Sequence, residues 1–150
     1  MPVKLRNALF PIGYQPWYVF EAKLASDATT FDKFDILVPT LGVYKRAAAD
    51  AVLVTGFVVA LENWSKGGQI LAVATPGSLV PGVLGGTVTP GAMLKITLGA
   101  AAVGMKYVTA SATDLAAGKV VGRYRSNQTN HKSLTAGADG DIIEIQTGVI

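Results

Sequence analysis

The chain has 150 residues, of which 50% are hydrophobic and only 15% charged, a balance that excludes intrinsic disorder, which needs few apolar residues and much charge. With no cysteine it can form neither a disulfide nor a thiolate metal site, and a net charge of +3 falls well short of the dense basic face that nucleic-acid binding calls for. No run reaches the roughly 18 consecutive apolar residues of a membrane helix; the stretch from Ala47 to Leu61 is broken by Asp50, Thr55 and Gly56.

The N-terminus carries Lys4 and Arg6, but Pro11, Gly13, Gln15 and Pro16 interrupt any apolar signal core. Pro2, Pro11 and Pro16 are also too closely spaced for a stable helix. Apolar side chains recur here without helical period, so an extended arm with its lead-in is expected over residues 1–30. The simpler alternative is an edge strand folded on its own core. From residue 31 to 150 a β domain is expected. Strand formers come in short runs: Phe34–Val38, Val52–Val59, Gln69–Ala74, Ala92–Leu98, Lys119–Tyr124 and Asp141–Gln146. Turn formers separate them, among them Lys66-Gly67-Gly68, Pro81-Gly82, Gly85-Gly86 and Ala136 to Gly140. Short strands with regular turn signals predict a sandwich or small barrel. One short helix is expected at Thr113–Ala117, capped by Ser111 or Thr113.

A degenerate duplication runs through the β region, with half-repeats at about 31–78 and 88–150. Phe34 to Gly42 resembles Gly91 to Gly99, with Thr40 and Thr97 57 positions apart. Thr55-Gly56-Phe57-Val58-Val59 resembles Ala117-Gly118-Lys119-Val120-Val121, 62 apart, and Gly68 to Thr75 resembles Gly140 to Thr147, 72 apart. An insertion at Asn127 to Thr135 explains the growing offset, since surface loops lengthen at small entropic cost. Alternation in the last strand of each half points Leu71, Val73, Ile143 and Ile145 to the core and Gln69, Asp141 and Glu144 outward. Two such halves are expected to pair about a pseudo-twofold axis and close one barrel or sandwich.

Catalytic chemistry finds no foothold. His131 is the only histidine and lies in a polar loop; no serine sits in a nucleophile elbow. The acids are scattered, and Asp139-Gly140-Asp141 lacks the ligand spacing of a calcium loop, so no metal and no cofactor is expected. Lys106, Lys119, Arg123, Arg125 and Lys132 make the second half locally basic, but a solvated strand face accounts for them better than nucleic acid does. Trp17 and Trp64 could stack on sugars, though packing is the commoner fate of tryptophan.

The rhythm of Thr55 to Leu61 followed by Gly67 to Val73, then Ala117 to Arg123 followed by Gly137 to Ile145, resembles the head decoration (cement) proteins of tailed bacteriophages. The resemblance covers about residues 31–150. It implies a β-tulip-like barrel or sandwich and a non-enzymatic virion protein, made in the host cytoplasm and seated on the capsid surface. It also implies the major capsid protein as partner, self-association as a trimer or dimer, and no membrane. In that family terminal segments lie along the capsid protein; here the role falls to Lys4, Arg6, Phe10, Tyr14, Trp17 and Tyr18. The rival expectations are another virion component, such as a tail or head-fibre base, and a small carbohydrate-binding module.

Overall fold

The computed structural model describes residues 19–98, 104–129, 132–133 and 136–148. The fold is all-β, built from two antiparallel sheets. The first contains β1 (Val19–Lys23), β2 (Ile36–Thr40), β3 (Val43–Arg46), β4 (Val58–Ala60) and β5 (Ile70–Ala74), in the order β1-β5-β4-β2-β3. The second contains β6 (Leu79–Val83), β7 (Met93–Leu98), β8 (Met105–Thr109), β9 (Val120–Asn127) and β11 (Ile142–Thr147), in the order β6-β11-β9-β7-β8, with the two-residue β10 (Lys132–Ser133) beside β9. A short helix, α1 (Ala112–Ala116), the one helix among the described residues, leads into β9.

The two orders are the same path taken twice, and the registers repeat with it. Val19↔Ala74 through Lys23↔Ile70 in the first sheet become Leu79↔Gln146 through Val83↔Ile142 in the second, each pair displaced by 60 and 72 positions. Likewise Leu37↔Arg46 through Thr40↔Val43 become Leu94↔Thr109 through Thr97↔Lys106. The offsets of 57 and 72 legible in the sequence are thus those of the strands themselves. The middle offset differs: Leu37 pairs with Val58 but Leu94 with Gly122, 64 positions on, because β9 carries irregularities at Leu94/Lys95 and at Glu144/Ile145. Each irregularity adds one residue to β9 and breaks its alternation there, so Val121 and Tyr124, three positions apart, both enter the second core.

Each sheet curls until its edges touch at one bridge, Leu24↔Tyr44 in the first and Leu84↔Tyr107 in the second. Ala25 N–H donates to Tyr44 O at 3.0 Å and Gly85 N–H to Tyr107 O at 2.8 Å. Neither sheet closes into a barrel; the architecture is a sandwich of two curled sheets. Each half therefore has its own interior, rather than lending half of a shared barrel. Leu37, Val58, Leu71 and Val73 fill the first interior together with Leu24 and Phe31. Leu94, Tyr107, Tyr124, Ile143 and Ile145 fill the second. The alternate residues Ile36, Val59 and Ala74 belong to this second cluster, so the first sheet is apolar on both faces, which is why Val58-Val59-Ala60 and Leu71 to Ala74 read as continuous apolar runs.

Three sequence expectations change. The run Val52–Val59 shortens to β4, because Leu53 and Val54 give their N–H groups to Gly118 O at 2.7 and 3.1 Å and Gly56 turns the chain at φ +125°. The run Phe34–Val38 starts two residues later, since Phe34 has φ +74°. Pro81-Gly82, read as a turn, lies inside β6; an edge strand tolerates a proline that lacks one N–H. Gly82 is required there, for a Cβ would stand 2.6 Å from Ile145 Cδ1 and 2.9 Å from the Tyr107 ring. The helix is confirmed: Ser111 Oγ accepts from Asp114 N at 3.1 Å while the Asp114 carboxylate accepts from Ser111 N at 2.8 Å, a reciprocal capping box.

Candidate functional site

An apolar part of the described surface lies at the end of the first sheet where β1 begins. Val19 pairs with Ala74, two residues before Pro76. There a groove of about 250 Å³ opens, walled by Leu53, Val54, Phe57, Pro76, Leu115 and Val120 with no charged residue in its lining. Val54 is 72% exposed and Val52 48%. Their loop is held over α1 by the two hydrogen bonds to Gly118 O. A Cβ on Gly118 would stand 2.6 Å from Val54 Cγ1, so glycine at this point allows the loop to close on the helix.

A second exposed apolar residue stands at a hairpin tip. β2 and β3 are joined by Leu41 and Gly42, with φ +53° and +85°, the positive values that a tight two-residue hairpin turn demands. Leu41 is 100% exposed. Pro39, at the base of this turn, lies against Gly56 at the groove's edge, where a Cβ would be 3.9 Å from Pro39 Cγ.

Electrostatics around the groove is spent on holding it together. Lys95 Nζ lies 3.0 Å from Asp50 Oδ1 and 3.3 Å from Asp114 Oδ2, tying the loop before the groove to α1. Hydrogen bonds from the Ser111 backbone and hydroxyl, then from Lys95, hold the Asp114 carboxyl below its ordinary value, while the hydrogen bond to Asp50 holds the Lys95 ammonium above its own. Asp35 is buried at 7% exposure; desolvation raises its pKa even though Arg46 Nε donates to Oδ2 at 3.1 Å. It lines, with Phe34, Met105 and Tyr107, a smaller cavity of about 150 Å³, and burial pushes the Tyr107 hydroxyl up as well. Asp141 immediately precedes β11, its carboxylate accepting from Ala138 N at 3.0 Å and Asn127 Nδ2 at 2.9 Å, so Asp139-Gly140-Asp141 is a turn whose last carboxylate caps the turn itself. Among the described residues, no group of three His, Asp or Glu gathers as a metal site. The arrangement suits recognition by apolar contact.

The contact residues expected from sequence, Lys4, Arg6, Phe10, Tyr14, Trp17 and Tyr18, lie outside the described residues, as does His131. The basic residues of the second half are dispersed: Lys106 pairs with Asp139 at 3.2 Å, and Arg123 donates to Gly91 O at 2.9 Å. Trp64 is half-buried, packs against the first interior and donates to Ala28 O at 3.2 Å. Sequence reasoning missed Leu41, Val54 and Leu115. A signal existed for Leu41, because Thr40-Leu41-Gly42 puts a leucine where such a turn favours asparagine. Val54 was hidden in an apparent strand.

No family model, curated protein or solved structure matches this chain.

Proposed function

We propose that this chain is a non-enzymatic structural protein of a tailed-phage virion that binds the outside of the assembled capsid and stabilises the shell. The observation that carries the reading is the junction at Val19. The strand β1 is a sheet edge, Val19 and Phe20 are 55% and 39% exposed, and the residues leading into them hold Phe10, Tyr14, Trp17 and Tyr18 with Lys4 and Arg6 and no acid. An edge strand continued by an aromatic, basic segment is suited to lying along a partner, since strand edges and terminal segments are recurrent recognition elements and aromatic burial is energetically large. Many copies on one shell add avidity, so each contact can be weak.

Co-sedimentation of the purified protein with empty expanded phage heads tests this. Saturable binding at a fixed copy number, lost when residues 1–18 are deleted, is the expected result. Binding to isolated tails and not to heads would move the protein to an appendage, and binding to neither would overturn the virion reading.

A further inference from the structure

Three unusual residues converge on one small cavity. Phe34 holds φ +74°, an outlying backbone conformation for a bulky side chain, and strain of this kind gathers at ligand sites. Asp35, next in the chain, is 7% exposed. Its Oδ2 accepts from Arg46 Nε and from Asp32 N, both at 3.1 Å, while no group among the described residues donates to Oδ1. Tyr107 is 2% exposed. Its hydroxyl donates at 3.4 Å to Met105 Sδ, which already takes the Ile36 N–H at 3.3 Å and is a weak acceptor. Phe34, Asp35, Met105 and Tyr107 line the cavity of about 150 Å³ together with Pro81 and Val83 of β6. A buried carboxylate oxygen without a donor is costly, so a ligand that supplies one gains there what water outside the cavity cannot give.

Size and charge narrow the ligand. A protein cavity of about this volume accepts benzene, and the walls here offer ring, thioether and aliphatic surface. Lys33 Nζ stands 5.0 Å from the centroid of the Phe34 ring and lines the same cavity, while Arg46 holds Oδ2. A cationic ligand would meet both of these cations; an uncharged one with a single donor would not. We propose that this cavity binds a small uncharged aromatic molecule of the phenol class, its ring against Phe34, Met105 and Tyr107 and its O–H donated to the Asp35 carboxylate. The site goes beyond the capsid reading and does not rest on it.

The test is titration of the full chain with phenol, followed by calorimetry and by amide NMR shifts. One saturable site is expected, with a dissociation constant of about 1 mM or below and shifts centred on Phe34, Asp35, Val83 and Tyr107. Anisole has a similar shape but no donor, and should bind about tenfold more weakly or worse, since a hydrogen bond to a charged acceptor is lost. Asp35→Asn should bring phenol down to the affinity of anisole, because the amide oxygen is claimed by Arg46 and Asp32 and its NH₂ group is left for the ligand. That variant also disturbs the Arg46 pair, so Val83→Trp, at a half-buried position on an edge strand, gives an independent reading. Its larger ring takes the space of the cavity, and phenol binding should vanish while the thermal midpoint stays near that of wild type. Absence of a saturable phenol site in wild type, anisole binding as tightly as phenol, or full phenol affinity in Val83→Trp would each overturn the proposal.

Discussion

At the residue scale, two glycines of similar appearance in the sequence carry opposite demands. A Cβ on Gly122 would collide with the Gln146 carbonyl oxygen and the Thr147 Cα, both backbone atoms of the neighbouring strand that cannot swing aside. Gly86 has only Val108 Cγ1 near, at 3.8 Å. Gly122→Ala should therefore cost upwards of about 2 kcal/mol by forcing β9 away from β11, whereas Gly86→Ala should stay within about 0.5 kcal/mol of wild type. Urea denaturation of the two variants side by side checks this, and equal midpoints would refute the close approach. Buried polar groups follow the same local logic. Thr147, fully buried, donates its hydroxyl to Ser78 O at 2.6 Å and accepts from Gly77 N at 3.2 Å, so its placement costs no unsatisfied group.

At the element scale, α1 has five residues, too few to persist by propensity alone, and its capping box holds its first turn. Ser111→Ala should cost about 1 kcal/mol, seen as a lower denaturation midpoint. Asp114 belongs to the same element and carries a pH signature. Its folded pKa lies below the ordinary 3.8, so the stabilisation it contributes is present above that value and is lost as pH falls through the depressed folded value. Wild type should lose stability as the pH drops from above 3.8 towards the folded value, and Asp114→Asn should flatten that part of the profile. Asp35 works in the opposite sense: its raised pKa means the folded state gains stability relative to the unfolded one as pH falls through the raised value. A variant profile as steep as wild type in the acid range would show that Asp114 is not linked to folding.

At the scale of the whole molecule, the repeated sheets are not independent. The second core takes Ile36, Val59 and Ala74 from the first sheet and Ala47, Leu53 and Phe57 from its loops, so unfolding the first half strips one side of the second. Leu71→Ala, in the first interior, and Ile143→Ala, in the second, are each fully buried changes and should cost about 2–5 kcal/mol. Both should shift one common transition, followed by circular dichroism and by Trp64 fluorescence. Two separated transitions in either variant would show that the halves fold as separate units.

The amino-acid pattern by itself determined the all-β class, the order of the later strands, the inward face of β5 and β11, and the offsets of 57 and 72, because alternation and glycine turns are local signals with a strand period of two. It also pointed to a short helix after Ser111, and the structure chose Ser111 over Thr113 as its cap, through the reciprocal bonds to Asp114. The strands β1, β3, β6 and β8 were not legible, because their places are set by partners far along the chain. The strand-like run Val52–Val59 became a loop because Gly118, from the other half, took its hydrogen bonds. Only the tertiary structure decided that each half curls on itself instead of completing a shared barrel. That choice depends on which face of the first sheet meets the second, and both faces are equally apolar in the sequence. Only the tertiary structure, too, built the apolar groove, since it is assembled from segments that lie as far apart as Leu53 and Gly148.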